Sequence, residues 1–451
     1  MNQIIDPNST TASSIHPSET DDPDQPSTKA TQIKNIGWRV TFAAMGINLT
    51  LGILYTWSVI SKRVPAEWNW SESDKSWPYA IACLVFSLVM VPAGRLQDRI
   101  GPRFVATLGG ILVGIGLFIA GLSTSPWGYI FGFGIFMGAG IGFGYASATP
   151  PAVKWFPAAK TGLIAGIVVS GFGLASVYAA PLAKWLALNY GLQNTVQILG
   201  VSFLIVVVGL AQLLKSPPAG YCPATTEAVG TPQTSTVNYT PGEMLRTPQF
   251  YLIWFMYACG AGAGLMVIAK LAMIAKEQAG LELGFVLVAV LALGNGAGRV
   301  VAGVFSDRFG RTKTLFSCFV MQGLLILILS QAVPGSFLAK TVPLSLISAL
   351  IGANYGANLT LFPSLTKDFY GLKNFGINYG LVFTSWGVGG FMLALLAGKL
   401  YDIYQSFSLA YYGATMLLLV AAVMTFLVKT PNRKEVARPV PPVHSLHHHH
   451  A

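Results

Sequence analysis

Apolar stretches of about twenty residues, each long enough to cross a bilayer, recur along nearly the whole chain and are separated by short polar turns. Twelve can be delimited, at 38–60, 77–96, 104–123, 127–149, 162–185, 193–214, 249–275, 283–305, 313–333, 338–362, 375–397 and 408–428. Such runs predict helices, because in hydrocarbon each backbone N–H and C=O must find its partner inside the structure. Two longer polar stretches interrupt the series. Residues 1–37 are rich in Ser, Thr, Asp and Pro, lack the apolar core of a signal peptide, and predict a disordered cytoplasmic tail. Residues 215–247 contain Pro217, Pro218, Pro223, Pro232 and Pro241 and divide the spans six and six. They predict a cytoplasmic linker between bundles at 38–214 and 248–428, with 429–451 as a second tail.

The halves repeat. Gly94-Arg-Leu-Gln-Asp98-Arg99-Ile-Gly101-Pro-Arg103 follows the second span, and Gly303-Val-Phe-Ser-Asp307-Arg308-Phe-Gly310-Arg311 follows the eighth, 209 residues later. Pro150, Lys154, Phe156 and Lys160 match Pro363, Lys367, Phe369 and Lys373 at an offset of 213. Two matches in the same order imply a duplicated six-helix unit, the architecture in which a substrate site near mid-membrane is served by alternating access.

Composition agrees with this reading. Of 451 residues, 53% are hydrophobic and 10% charged, whereas a soluble domain carries about a quarter charged residues. The net charge of +11 would fit nucleic acid only if it clustered on a soluble face. Here the basic residues lie in the turns. With the N-terminus inside, 19 of the 28 Lys and Arg fall on the cytoplasmic side, 8 outside and one, Arg299, within the membrane, which is the positive-inside bias. Both termini are therefore expected in the cytoplasm of a cell with a bacterial-type inner membrane. The cysteines (Cys83, Cys222, Cys259, Cys318) have no metal-ligand spacing and the histidines all lie outside the spans, ending in a tag-like run at His447–His450. No cofactor or metal is expected.

The doubled G-x-x-x-D-R-x-G-x-R loop resembles the signature of the major facilitator superfamily, and the resemblance covers residues 38 to 428. It implies an all-α fold of twelve transmembrane helices in two repeats. More narrowly, Leu51-Gly-Ile-Leu-Tyr55-Thr-Trp57-Ser, Gly140-Ile-Gly-Phe-Gly-Tyr145, Lys154-Trp-Phe-Pro157 and Asn378-Tyr-Gly-Leu-Val-Phe-Thr-Ser-Trp386-Gly look like the oxalate:formate antiporter and monocarboxylate transporter branch. The family likeness implies that Asp98 with Arg99 and Arg103, and Asp307 with Arg308 and Arg311, latch the halves at the cytoplasmic face and break when the inner gate opens. The bland alternative is topogenic charge, which leaves the repeated aspartates unexplained.

Arg299 lies well inside a span, where a guanidinium costs at least about 2.5–3.5 kcal/mol on insertion scales. No acidic residue lies well inside a predicted span, so the vacant partner is expected to be an anionic substrate, which a guanidinium fork can hold by two parallel hydrogen bonds. The competing reading is snorkelling to the boundary or bonding to carbonyl groups. Asn295, one turn away, either donates to the same anion or holds the guanidinium through its amide oxygen. In the monocarboxylate branch that position often carries an aspartate linked to proton coupling. An amide cannot titrate, so a coupled proton would travel with the substrate or through Lys270, and both alternatives stay open.

The resemblance also implies that the oxalate-type antiporters hold a second cation, a lysine, where this chain has Trp386. One central cation favours a monovalent anion. Tyr145 and Tyr355 fall near mid-depth and Tyr55 lines the opposite wall, and with Trp386 they offer hydroxyl and indole donors to an apolar-walled pocket, or else pack against neighbouring helices. The glycines at 134, 138, 140, 142 and 144 lack the strand–turn–helix setting of a dinucleotide loop and are read as close helix packing.

These features predict a secondary carrier of small monocarboxylates such as lactate, pyruvate or formate, with oxalate:formate-like exchange as the alternative. Its expected partners are the anion, a proton if coupled, and lipid, with no nucleic acid and a functional monomer. A membrane enzyme would need a nucleophile, metal cluster or acid–base pair in the spans, and a channel would need a filter or charge ring. Neither pattern is present in the sequence.

Overall fold

The computed structural model describes residues 34–157, 161–218, 221, 238–282, 284–371 and 374–431, except for the side chains of residues 98, 161 and 162. From Ile36 onward the chain forms one unit, and its described residues are helices joined by turns. The segments at 1–33, 219–220, 222–237 and 432–451 lie outside the described residues, so the tails and the linker remain expectations.

The first half contains α1 (Gly37–Ser61), α2 (Glu72–Ile100), α3 (Pro102–Gly121), α4 (Pro126–Val153), α5 (161–190) and α6 (192–211). The second contains α7 (Pro248–Gln278), α8 (Gly284–Phe309), α9 (Arg311–Ser330), α10 (Thr341–Tyr370), α11 (Phe375–Tyr404) and α12 (Ser408–Met424). Each of the twelve expected spans has its helix. The turn between α5 and α6 is made at Gly191, whose φ of 77° is a conformation that suits a residue without Cβ. A side-chain-bearing residue there would be strained.

Departures from regular winding coincide with the sequence motifs. Within α1, Gly52–Thr56 tightens to a 3-10 turn, and Tyr55 sits in it. Helix α4 opens with a π-wound stretch at Ile130–Met137. Helix α2 begins at Glu72, five residues before its predicted start, because Ser71 and Asp74 form a reciprocal capping box. That extension makes Glu72 the first residue of the helix, outside the predicted apolar span.

We call the end with the repeated loops the motif end and the opposite end the far end. Small residues decide how closely the helices approach. Between α8 and α10 the glycines are reciprocal: a Cβ on Gly294 or Gly298 would collide with the Ala349 or Ala353 carbonyl, and one on Gly352 or Gly356 with that of Leu291 or Asn295. In α4, Gly140 abuts α3, whereas Gly134, Gly138 and Gly142 abut α2. The halves meet along two seams. On α11, Gly387, Gly390 and Gly398 face Ser87, Cys83 and Ser76 of α2. On the other side, Gly173 of α5 faces Arg299 of α8, and Gly296 of α8 faces Leu174 of α5. Val300, Val301, Val304 and Phe305 remain exposed on α8, as lipid-facing positions are.

Gly298→Ala should destabilise the purified protein by roughly 1–3 kcal/mol through overpacking, read as a lowered thermal midpoint in detergent. Gly209→Ala is the matched control: nothing lies within 4 Å of its Cβ position, so added helix propensity should leave the midpoint unchanged or slightly higher. Equal behaviour of the two variants would show that the α8–α10 approach is not tightly packed.

Candidate functional site

Arg299 lies between the halves and is 5% exposed. Its Nε donates to Asn295 Oδ1 at 3.1 Å, and its terminal nitrogen donates to the Val169 carbonyl of α5 at 2.8 Å. A Cβ added to Gly173 would lie 3.4 Å from the guanidinium, so glycine opens the wall against which the flat group rests. The Val169 carbonyl is a neutral acceptor, and among the described residues no carboxylate pairs with Arg299. Of the two roles expected for Asn295, the structure places its amide oxygen on the guanidinium. Its Nδ2 is buried without a hydrogen-bond partner among the described residues, although an unsatisfied buried donor costs about 1–3 kcal/mol. Tyr145 lies close enough to Arg299 to be electrostatically coupled to it.

The other expected ligands form a second group. Trp386 Nε1 donates to the Tyr355 hydroxyl at 2.8 Å, and the Tyr355 and Tyr55 hydroxyls share a hydrogen bond of 2.6 Å. This chain links α11, α10 and α1 across the halves. All three side chains are buried, and Trp386 is packed inside the molecule rather than against lipid. An aromatic layer that the sequence did not single out surrounds them. Phe86 of α2 lies 5.1–5.8 Å, centroid to centroid, from Tyr145, Phe172, Phe383 and Trp386. Phe383 stacks on Trp386 at 5.1 Å. These phenylalanines were indistinguishable by sequence from lipid-facing ones such as Phe118 or Phe426, because facing depends on how the helices are rotated.

Toward the far end, Lys270 is 4% exposed and donates to the Glu72 carboxylate at 3.1 Å and the Glu72 carbonyl at 3.2 Å. The Asp402 carboxylate of α11 accepts from the N–H groups of Glu72 and Ser73 at 2.9 and 2.8 Å, satisfying donors that a helix start leaves free. Lys62, after α1, bonds to Glu282, before α8, at 3.2 Å. Glu282 is held below the usual carboxylate range by that hydrogen bond and the Lys62 charge. A lowered value means that this tie is present above the ordinary carboxyl pKa and weakens as pH falls through the lowered one. These contacts all cross between the halves, so the far end is closed. The Ser71-x-x-Asp74 capping box was the available signal for Glu72, and Asp402 had none.

At the motif end, Arg311 pairs with Asp307 at 2.7 Å and Asp368 at 3.2 Å and contacts Ser306. These partners belong to its own half. Arg308 lies over the Phe309 ring, and Arg99 and Arg103 are exposed. The Asp98 side chain lies outside the described residues.

A sequence model described as the Major Facilitator Superfamily matches residues 42–294 and 265–447. The chain is 28% identical over 356 residues to the "Uncharacterized MFS-type transporter YhjX" of Escherichia coli (strain K12), covering 78% of this chain and 85% of that one. It is 26% identical over 331 residues to the "Oxalate:formate antiporter" of Oxalobacter formigenes, covering 73% and 76%. With "Monocarboxylate transporter 11" of Mus musculus it shares 24% over 390 residues, covering 85% of each. Among solved structures, a bacterial homolog of the human lysosomal transporter Spinster, inward-facing and unoccupied, superposes with a TM-score of 0.61 at 16% identity, covering 87% and 96%.

Tyr355→Phe should be more destabilising than Tyr55→Phe. The first removes the oxygen that serves both neighbours and orphans the Trp386 N–H, whereas the second leaves the Trp386–Tyr355 bond intact. Each orphaned buried donor costs about 1–3 kcal/mol. Thermal unfolding of the two variants and their double mutant should show a combined loss below the sum, and additive losses would disprove the shared network.

Proposed function

The chain belongs to the Major Facilitator Superfamily, and from that premise we propose that it carries small monocarboxylate anions, of the lactate, pyruvate and formate class, across a cytoplasmic membrane by alternating access. The motif end is then cytoplasmic, as the distribution of Lys and Arg supports, and the closed far end bars access from outside in the described state.

The observation that carries this reading is Arg299, a buried guanidinium at the seam, bonded to a neutral amide and a neutral carbonyl. A carboxylate can replace the carbonyl and supply the missing charge through two parallel hydrogen bonds. The unpartnered Asn295 Nδ2 beside it is a donor that a second carboxylate oxygen would satisfy. Tyr145 lies near the same group, and the Tyr55–Tyr355–Trp386 chain with the phenylalanines makes an apolar wall suited to a short acid. Because Val169 and Gly173 belong to one half and Arg299 to the other, an anion on the guanidinium competes with a contact between halves. This links binding to their relative movement.

Exchange of a dicarboxylate for a monocarboxylate is the second reading, favoured by the likeness to the oxalate:formate antiporter. The single central cation and the bulk of Trp386 speak for the monocarboxylate. Counterflow in proteoliposomes with labelled formate, lactate, pyruvate and oxalate, with and without a pH gradient, separates the two and reveals coupling.

Arg299→Gln should abolish lactate and formate counterflow while leaving insertion intact. Arg299→Lys should recover little, since a point charge does not reproduce the bidentate fork. Near-normal transport by the Gln variant would show that Arg299 is not the anion ligand.

A further inference from the structure

Lys270 is a second buried cation, and its two hydrogen-bond acceptors both belong to Glu72 of the opposite half. The pair is unequal. Glu72 has a partner on its own helix, Lys75, at 2.8 Å, and keeps it wherever α2 goes. When the far end opens and α2 leaves α7, Lys270 loses both acceptors at once. Opening exposes the freed ammonium to the entry path, so an anion that binds it there favours the open state over the closed one.

We propose that Lys270 is an anion-binding station on the far-side entry path, for a carboxylate or another small monoanion, occupied by Glu72 when that end is closed and by the incoming anion when it is open. This rests on the anion-carrier reading above and adds a site to it. Counting rise along α7 and α8, Lys270 lies roughly 18 Å further from the motif end than Arg299. A short acid therefore cannot span both cations, and the station is separate from the central site.

Asp402 is the carboxylate of the same half that lies near enough to Lys270 to interact with it. In the closed state its oxygens are engaged by the Glu72 and Ser73 N–H groups, and opening frees them too. Its negative charge weakens anion binding at Lys270 without supplying a ligand in the closed state. A weakly held anion is what a transit site needs, since it must leave toward Arg299 as readily as it enters.

The test uses the full chain in nanodiscs, with its four native cysteines replaced by alanine and Ser76→Cys added. Ser76 is buried on α2 against Gly398 of α11, so its labelling by a polar maleimide reports opening of the far end. Formate or lactate, added at fixed pH and ionic strength, should raise the labelling rate about threefold or more, as a ligand that prefers one state must. The neutral pair Glu72→Leu/Lys270→Met should label at a higher basal rate but lose the response to anion. Glu72→Gln and Asp402→Asn should each enlarge that response. An unchanged response in the neutral pair, or none in the parent chain with either anion, overturns the proposal and leaves Lys270 as a structural tie. Arg299→Gln distinguishes the two sites: if it keeps the labelling response but loses counterflow, both readings stand. If it keeps counterflow, the central-site reading fails while the labelling result still decides Lys270. If it loses the labelling response, the anion acts from Arg299 and the Lys270 proposal fails.

Discussion

A charge inside hydrocarbon must be matched by a partner, because no water is there to solvate it. Two cations in this molecule meet that demand by reaching across the junction between the six-helix halves. Arg299 of α8 reaches a carbonyl of α5, and Lys270 of α7 reaches a carboxylate of α2. Neither contact is internal to one half. The electrostatic stability of the buried charges is therefore tied to the relative position of the bundles, and movement between them must exchange one partner for another.

The backbone makes such movement feasible. Within the second half, α8 and α10 interlock through reciprocal glycines whose Cβ positions are occupied by neighbouring carbonyls, which favours motion as one body. Between the halves, glycines of α11 likewise let α2 approach closely: a Cβ on Gly387 would meet Ser87 and the Cys83 carbonyl, and one on Gly398 would meet Ser76 and the Glu72 carbonyl. Side-chain hydrogen bonds hold the far end. The aromatic layer around Phe86 and Trp386 fills the centre of the closed structure with rings that can turn aside.

At the motif end Arg311 gathers Asp307, Asp368 and Ser306, all of the second half, and so braces the ends of α8, α9 and α10 against one another. The latch between the halves that the family signature implies stays an expectation, because the Asp98 side chain lies outside the described residues.

The sequence by itself determined the twelve spans, the duplication and the isolation of Arg299. Apolar length and loop charge are properties of a linear string, and hydrocarbon permits few answers to them. It also marked Tyr145 and Tyr355 as mid-depth donors, since depth follows from counting residues along a helix; Tyr55 and Trp386 were singled out by the motif resemblance. What residue counting could not provide was rotation about each axis and the choice of neighbour. Only the tertiary structure placed Phe86 and Phe172 inside while Phe118 faces outward. It also gave the Asn295 oxygen to Arg299, joined Tyr55 to Tyr355 over 300 residues, and brought Glu72 to Lys270. The last of these was hidden for a specific reason: a capping box carried α2 five residues beyond its apolar run, and the partner of its first residue lies 198 positions away, on a helix that only the packing of the two halves brings beside it.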